Sequence, residues 1–526
     1  MKNKRYNLFF LLLLLAELAV SQSDYVDTSN YADIRGRIKS QSFFIKMDPN
    51  NVEALLRRGV YKLQITDYKG AIEDNLEVIK LIGDKSSDPY NNIAMAQVGL
   101  RDSINALKNF KKAIELDPKA AMGYLNIAYG KATFRDYKGA IADLTKAIEL
   151  KPDYAKAYHN RAFNKNLIGD TKGAIEDYTR SLEVKPDYFE AYYNRANALA
   201  TSGKLEDALK DFNTVLVINP YFYPALVDRA SVKAERKDFE GAIKDLDKVV
   251  ELTSGNEMIF AGRGKIKIDI RDYEGALKDL NKALELRPAF TSLYLYTGAI
   301  KNELKDFKGA IVDLDKYIIE NPEDTTAFLY RGVAKMGAFE NKEALKDFTK
   351  TIELDRKNST AYNNRGIVRK RLNDIDGAIA DLNKAIDLKK DYAKAYANRA
   401  TLKDEKKDYQ GALEDFNKSI ELNPKDMESL CNRGLCKYHK GDIKDALKDY
   451  DKALEIDLKS AVVYNNRALA KHELKDYAGA IEDFTKALEI DPYLANVYSY
   501  RALSYEKIGD LKNAKSDNEK AASLKK

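Results

Sequence analysis

The stretch "AVVYNNRALAKHELKDYAGAIEDFTKALEIDP", residues 461–492, decides the fold of the whole chain. Its first half places Tyr464, Arg467, Ala468 and Lys471 at i, i+3, i+4 and i+7, one face of a helix. Asp476 then fits an N-cap, a side chain that accepts from the N–H groups opening the next helix. In that second helix Ala480, Ile481, Phe484, Ala487 and Leu488 form one apolar stripe, and Pro492 ends it. Neither short helix can bury its stripe alone, so neighbours are required.

The neighbours are copies. Thirteen alanines from Ala106 to Ala514 recur every 34 residues, and Ala71 stands one unit further upstream, at 35. That makes fourteen units over about 52–526, with the extra residue expected in "IGDKSSDP", 82–89. The cap slot is Asp in twelve units; Lys204 and Glu340 are the exceptions. Proline fills the Pro492 slot in eight. The unit resembles the tetratricopeptide repeat (TPR), whose pattern is W-x2-L-G-x2-Y, then A-x3-F, then P. Tyr464, Arg467, Ala468, Lys471, Ala480, Phe484 and Pro492 stand in those slots. Arg and Lys replace the family's Leu and Tyr. The resemblance implies an all-α fold, an α-solenoid built as a right-handed superhelix of antiparallel helix pairs.

Repeats within one chain are parallel trials of one unit. Arg fills the Arg467 slot in eleven units, and each time an aspartate follows sixteen residues later, from Arg58 and Asp74 to Arg501 and Asp517. Where Arg becomes Ile127 or Thr297, Lys131 or Lys301 remains, with Asp143 and Asp313. Only one unit loses both bases, to Ile93 and Gln97, and it carries Asn109 in place of the aspartate. The pattern predicts a charge pair joining the two helices of each unit, because a partly buried carboxylate without a cation costs several kcal/mol. The alternative is three solvated surface charges copied by duplication, worth about 0–1 kcal/mol.

The 526 residues carry 88 Lys+Arg against 82 Asp+Glu, a mixed surface and no nucleic-acid footprint. The N-terminus "MKNKRYNLFFLLLLLAELAVSQS" joins a basic start to an apolar run from Leu8 to Ala16, with small residues at Ala19 and Ser21. Residues 1–21 are therefore expected to be a signal peptide, too short in its apolar run to span a membrane. Residues 22–51 are expected to form a linker and a partial N-terminal capping helix, and 52–526 the repeats. Only Cys431 and Cys436 are present, about 140° apart on a helix and unable to bond to each other within it. Cys436, His439 and His472 are a weak candidate metal set; isolated polar side chains on a solenoid account for them better. No P-loop, GxSxG or HExxH is present, and the recurrent Gly-Ala pair, as in Gly479-Ala480, reads as a helix-packing feature. No enzyme activity and no cofactor are expected.

A two-helix solenoid curves, and its first helices line the concave side. The residue before the Arg slot is expected to help line it. That residue is Asn92, Asn126, Asn160 and Asn194 in one block, and Asn364, Asn398, Asn432 and Asn466 in another. Between the blocks stand Asp228, Gly262, Tyr296 and Tyr330. A carboxamide offers one acceptor and two donors, suited to an extended peptide's amides. This resembles the asparagine ladder of the glycosyltransferases that attach N-acetylglucosamine to serine and threonine. The alternative is that each asparagine braces a neighbouring helix. Met122, Leu125, Tyr129, Phe163 and Leu167 are expected to add an apolar lining, and Lys370, Arg371, Lys394, Asp404 and Glu405 a charged one. The function these features imply is a protein- or peptide-binding scaffold, exported to a periplasm or secreted. The second possibility is a component that assembles or stabilises an envelope complex through broad contacts.

Overall fold

The structure, a computed structural model, describes residues 31–524. The expected signal peptide, 1–21, lies outside the described residues. Every regular element among them is an α-helix, in two compact units, Met1–Arg287 and Pro288–Lys526. In the first unit the first described helix is α1, Tyr31–Met47, and seven antiparallel pairs follow it, from Val52–Gln64 with Tyr68–Ile82 to Glu257–Asp269 with Tyr273–Leu286. The second holds seven more, from Leu293–Glu303 with Phe307–Glu320 to Ala495–Lys507 with Leu511–Leu524. Each unit is an α-solenoid.

The turn between paired helices follows from two residues. Lys475 adopts the left-handed conformation (φ 67°), and Asp476 N donates back to Lys471 O at 2.9 Å. Asp476 Oδ1 then accepts from Gly479 N at 3.0 Å, capping the second helix. A Cβ at Gly479 would overlap the Asp476 carboxylate. The glycine of the Gly-Ala pair thus serves the cap, while Ala480 alone, with no exposed surface, serves helix packing. Lys204 and Glu340 cap nothing. Asp442 does not cap either; it accepts from Lys440 Nζ instead.

Between the helices lie small apolar cores. Tyr464, Ala468, Ala480, Phe484 and Ala487 are buried together, and residues of both adjacent repeats complete the cluster. Burying each such side chain contributes about 1.5–3 kcal/mol before entropy is counted. The large residue at the Phe484 slot also forces a small one opposite, for a Cβ on Gly434 would meet the Tyr450 ring at 2.7 Å.

The charge pair is present, and it reaches further than one repeat. Arg467 Nε donates to Asp483 Oδ2 at 2.8 Å and Nη2 to Oδ1 at 2.7 Å, a bidentate fork. Lys471 Nζ lies 2.8 Å from the same Oδ2. All eleven arginines make this fork. Their aspartates are buried. The free Nη1 of Arg467 donates to Asp451 Oδ1, at 2.7 Å, on the second helix of the preceding repeat. Every one of the eleven does the same, always to the residue sixteen earlier: Ser42, a threonine, an asparagine or an aspartate. For Arg58 that residue lies on α1, which therefore takes the place of a preceding second helix. The guanidinium also lies over the aromatic ring three residues before it in eight repeats, 5.5 Å above Tyr464.

The exceptions follow the same chemistry. Asn109 Nδ2 donates to Gln97 Oε1 at 2.8 Å, so the repeat without a base pairs two neutral amides. Lys131 and Lys301 lie 2.6 Å from Asp143 and Asp313 without hydrogen-bond geometry at the oxygen. Burial raises the Asp143 carboxyl above its usual value, and Lys131 only partly offsets it. Burial acts on Asp483 too, but Arg467 and Lys471 outweigh it and the carboxyl ends below its usual value.

The two carboxylates should therefore respond to opposite substitutions. Asp483 contributes stability that is present above the unfolded carboxylate value and lost as pH falls through its lowered folded value. Asp143 does the reverse: its contribution is present below the unfolded value and lost as pH rises through the raised one. At pH 7, Asp143→Asn is expected to be neutral or stabilising. Asp483→Ala is expected to cost about 3–5 kcal/mol, because it strands two half-buried cations, whereas Glu489→Ala, an exposed control, should stay within about 0.5 kcal/mol. Denaturant midpoints of the three variants check this, and equal small losses would contradict it.

Candidate functional site

Within each unit the first helices of successive repeats touch one another, while the second helices make no comparable contact. The first-helix side is therefore the inner face of each unit. The two asparagine blocks lie on it, one per unit. All eight side chains are half-buried.

The structure engages six of the eight. Asn92 Nδ2 donates to Asn75 Oδ1 at 3.0 Å. Asn194 Nδ2 lies 2.9 Å from His159 Nε2, and His159 Nδ1 lies 3.2 Å from Asn160 Oδ1. In the second unit Asn398 Nδ2 donates to Asn363 Oδ1 at 2.9 Å, and Asn363 Nδ2 to Asn364 Oδ1 at 3.1 Å. Asn466 Nδ2 lies 3.5 Å from Cys431 Sγ and its Oδ1 accepts from Asn465 at 3.3 Å. Asn126 and Asn432 make no side-chain hydrogen bond among the described residues. The recurrent link runs from the asparagine to the residue 35 earlier, on the first helix of the preceding repeat. The residue just before an asparagine thus receives the next repeat's asparagine at His159, Asn363 and Cys431, a position which the sequence reading passed over. Its signal was the polar His159, Asn363 and Asn465 at a slot otherwise mostly apolar.

The same 35-residue link recurs with other chemistry. Tyr193 Oη donates to Asp228 Oδ2 at 2.7 Å. Asp228 is 7% exposed, and burial raises its carboxyl to about 6, against the pull of Tyr193 and Asn197. Lys370 Nζ meets Glu405 at 2.7 Å, and His439 Nδ1 meets Asp404 at 3.0 Å. Of the charged lining, Lys370, Asp404 and Glu405 thus pair between repeats, and Arg371 Nη1 donates to Met336 O at 2.8 Å. Met122, Tyr129, Phe163 and Leu167 are exposed, the first at 62%. Leu125 is not part of that lining: at 6% exposure it belongs to the core.

Cys436 and Cys431 are free, buried thiols, and burial pushes Cys436 up to about 12. His472 Nδ1 turns to Ser504 Oγ at 2.8 Å, away from His439, which pairs with Asp404. Among the described residues no group of three or more His, Cys, Asp or Glu could hold a metal ion. Nor is any described helix long and apolar enough to cross a membrane.

Within each unit, tandem helix pairs with their first helices on one side define a helical-repeat protein. Tetratricopeptide-repeat models match residues 189–222, 393–426, 428–459 and 461–494, others match 87–120, 259–290 and 359–392, and a further TPR model matches 167–203. The chain belongs to the tetratricopeptide-repeat family. No curated protein sequence matches it. Among solved structures it is similar to the APC/C hetero-tetramer Cut9-Hcn1, at 18% identity and TM-score 0.40, over 90% of this chain and 93% of that one. It is also similar to yeast Tom70, at 19% and 0.37, over 82% and 95%. A third likeness is to MamA protein, at 29% and 0.29, over 32% and 93%.

Asparagines that brace and asparagines that do not should differ on substitution. Asn398→Ala is expected to cost about 0.5–1.5 kcal/mol through its lost bond to Asn363. Asn126→Ala should stay within about 0.5 kcal/mol. Urea midpoints of the two variants decide this; equal values would remove the distinction.

Proposed function

We propose that the chain is a non-enzymatic scaffold that holds a protein or an extended peptide along the inner face of its first helices, outside the cytoplasm. The observation that carries this is the placement of one carboxamide in each of four consecutive repeats of the first unit, beside exposed Met122, Tyr129 and Phe163. An Asn side chain has four hydrogen-bonding positions and spends at most two on its neighbours, so capacity remains for peptide amides. The apolar side chains would take up part of the ligand's own apolar surface. Export rests on residues 1–21, whose basic start and apolar run have the form of a signal peptide. A second reading is a component that stabilises an envelope complex through broad contacts. It is favoured by the commitment of six asparagines to their own helices.

The test uses full-length protein immobilised and offered a pool of short unfolded peptides. Replacing Asn92, Asn126, Asn160 and Asn194 together by alanine is expected to abolish peptide retention while leaving helical circular dichroism intact. Undiminished retention would refute the asparagine row as the binding element. Retention of folded envelope proteins alone, with no competition from peptides, would support the second reading.

A further inference from the structure

The first unit has one feature that the second lacks. In both, two consecutive asparagines are joined by a relay through a third side chain. In the second unit that side chain is Asn363, which donates to Asn364 and accepts from Asn398. In the first it is His159, between Asn160 and Asn194. For the imidazole to serve both contacts, Nδ1 must carry the proton and donate to Asn160 Oδ1. Nε2 is then bare and accepts from Asn194 Nδ2–H. An amide in the middle of such a relay has fixed donors and acceptors; an imidazole does not.

We propose that His159 is an acid-operated latch on the asparagine row: protonation of its ring turns over the Asn194 amide and changes what Asn194 offers to a bound peptide. This rests on the peptide-binding reading given above. Neutral His159 takes one N–H of Asn194 and leaves its Oδ1 and second N–H free. That pair can bond to the C=O and N–H of one peptide residue together. Imidazolium carries a proton on Nε2 and cannot accept. Asn194 must then present Oδ1 to the ring, which exchanges the donor and acceptor positions on the edge left to the ligand, so that the peptide C=O faces the second lone pair of Oδ1 and the peptide N–H faces an amide N–H. The paired contact is lost, and peptide binding weakens in acid.

The surroundings suit the role. The His159 ring lies between Tyr178 and Tyr188, with centroids 5.6 and 5.0 Å away. Burial lowers its pKa below the usual value, with Lys156 adding to the effect and Asn160 opposing it. Asp177, on the second helix of the same repeat, is held by Arg161 and Lys165. Glu190 and Lys185 act at Tyr188, beyond the ring. Helix Tyr137–Leu150 brings no charge that acts on His159, and from Phe189–Thr201 the facing group is Asn194 itself. With a lowered folded value, the neutral relay is intact above the free-histidine value and is lost as pH falls through the folded one.

Full-length protein labelled with 15N at its three histidines and at asparagine side chains tests this by NMR between pH 8 and 5. Above its midpoint His159 is expected as the Nδ1–H tautomer. The Asn194 side-chain N–H signals should shift with the same midpoint, and His159→Asn, which copies the relay of Asn363, should abolish that shift. Peptides retained at pH 7.5 should bind about three- to tenfold more weakly below the His159 midpoint read from the same titration, a lost neutral hydrogen bond, and equally on both sides of it in His159→Asn. Asn194 signals that ignore the His159 titration, or pH-dependent affinity that survives His159→Asn, would overturn the latch. If no peptide binds at any pH, the groove reading fails, and the Asn194 signals alone decide the latch.

Discussion

One guanidinium in each of eleven repeats holds three helices. Two of its nitrogens fork onto the aspartate of its own second helix, and the third reaches back to the second helix of the repeat before. A repeat of two short helices has too little apolar surface to fix its own geometry, and about half of its buried apolar residues are alanine. Packing of small, near-identical side chains is compatible with several offsets between neighbours. A planar fork with fixed donor directions is compatible with far fewer. The ion cluster therefore sets the register in which the alanine-lined surfaces meet. Its net energy is modest, because desolvation of the charges offsets much of their attraction.

Much of this was legible in the sequence, because fourteen copies allow internal comparison. The helix pairs, the caps and the intra-repeat pairing of Arg467 with Asp483 all follow from period and substitution pattern. Substitution was the stronger of the two signals: Asn109 with Gln97 shows what a carboxylate's absence requires. The reach of Nη1 into the preceding repeat was equally available and was missed. Sixteen residues before every one of the eleven arginines stands Ser, Thr, Asn or Asp, whereas Lys111 stands there before Ile127, and before Ile93, where the extra residue shifts the slot by one, stands Leu76. Only Asn281, before Thr297, breaks the correlation. The glycine of the Gly-Ala pair was misassigned for a different reason. Its role depends on how close the Asp476 carboxylate comes to the backbone, which spacing alone does not reveal.

The inner face was less legible. Asparagine at a regular interval is compatible with binding and with bracing, and the two uses compete for the same atoms. The structure shows the bracing atoms: amide nitrogens point back to the preceding repeat, and the residue just before each asparagine often completes the link. Leu125 illustrates the limit of pattern reading, since one step around a helix separates an exposed Met122 from a core position. What remains free on the asparagines is set by their neighbours, so the chemistry of the groove is decided by residues that do not themselves face it.

Each forked arginine couples its own repeat to the one before. A double-mutant cycle between Arg433 and Asn417, with Arg433→Met and Asn417→Ala, isolates the inter-repeat arm. The fork to Asp449 serves as an internal comparison. The account predicts a coupling of about 0.5–2 kcal/mol for Arg433 with Asn417, beside a larger one for Arg433 with Asp449. Additive losses for Arg433 and Asn417, with no coupling beyond about 0.3 kcal/mol, would contradict it.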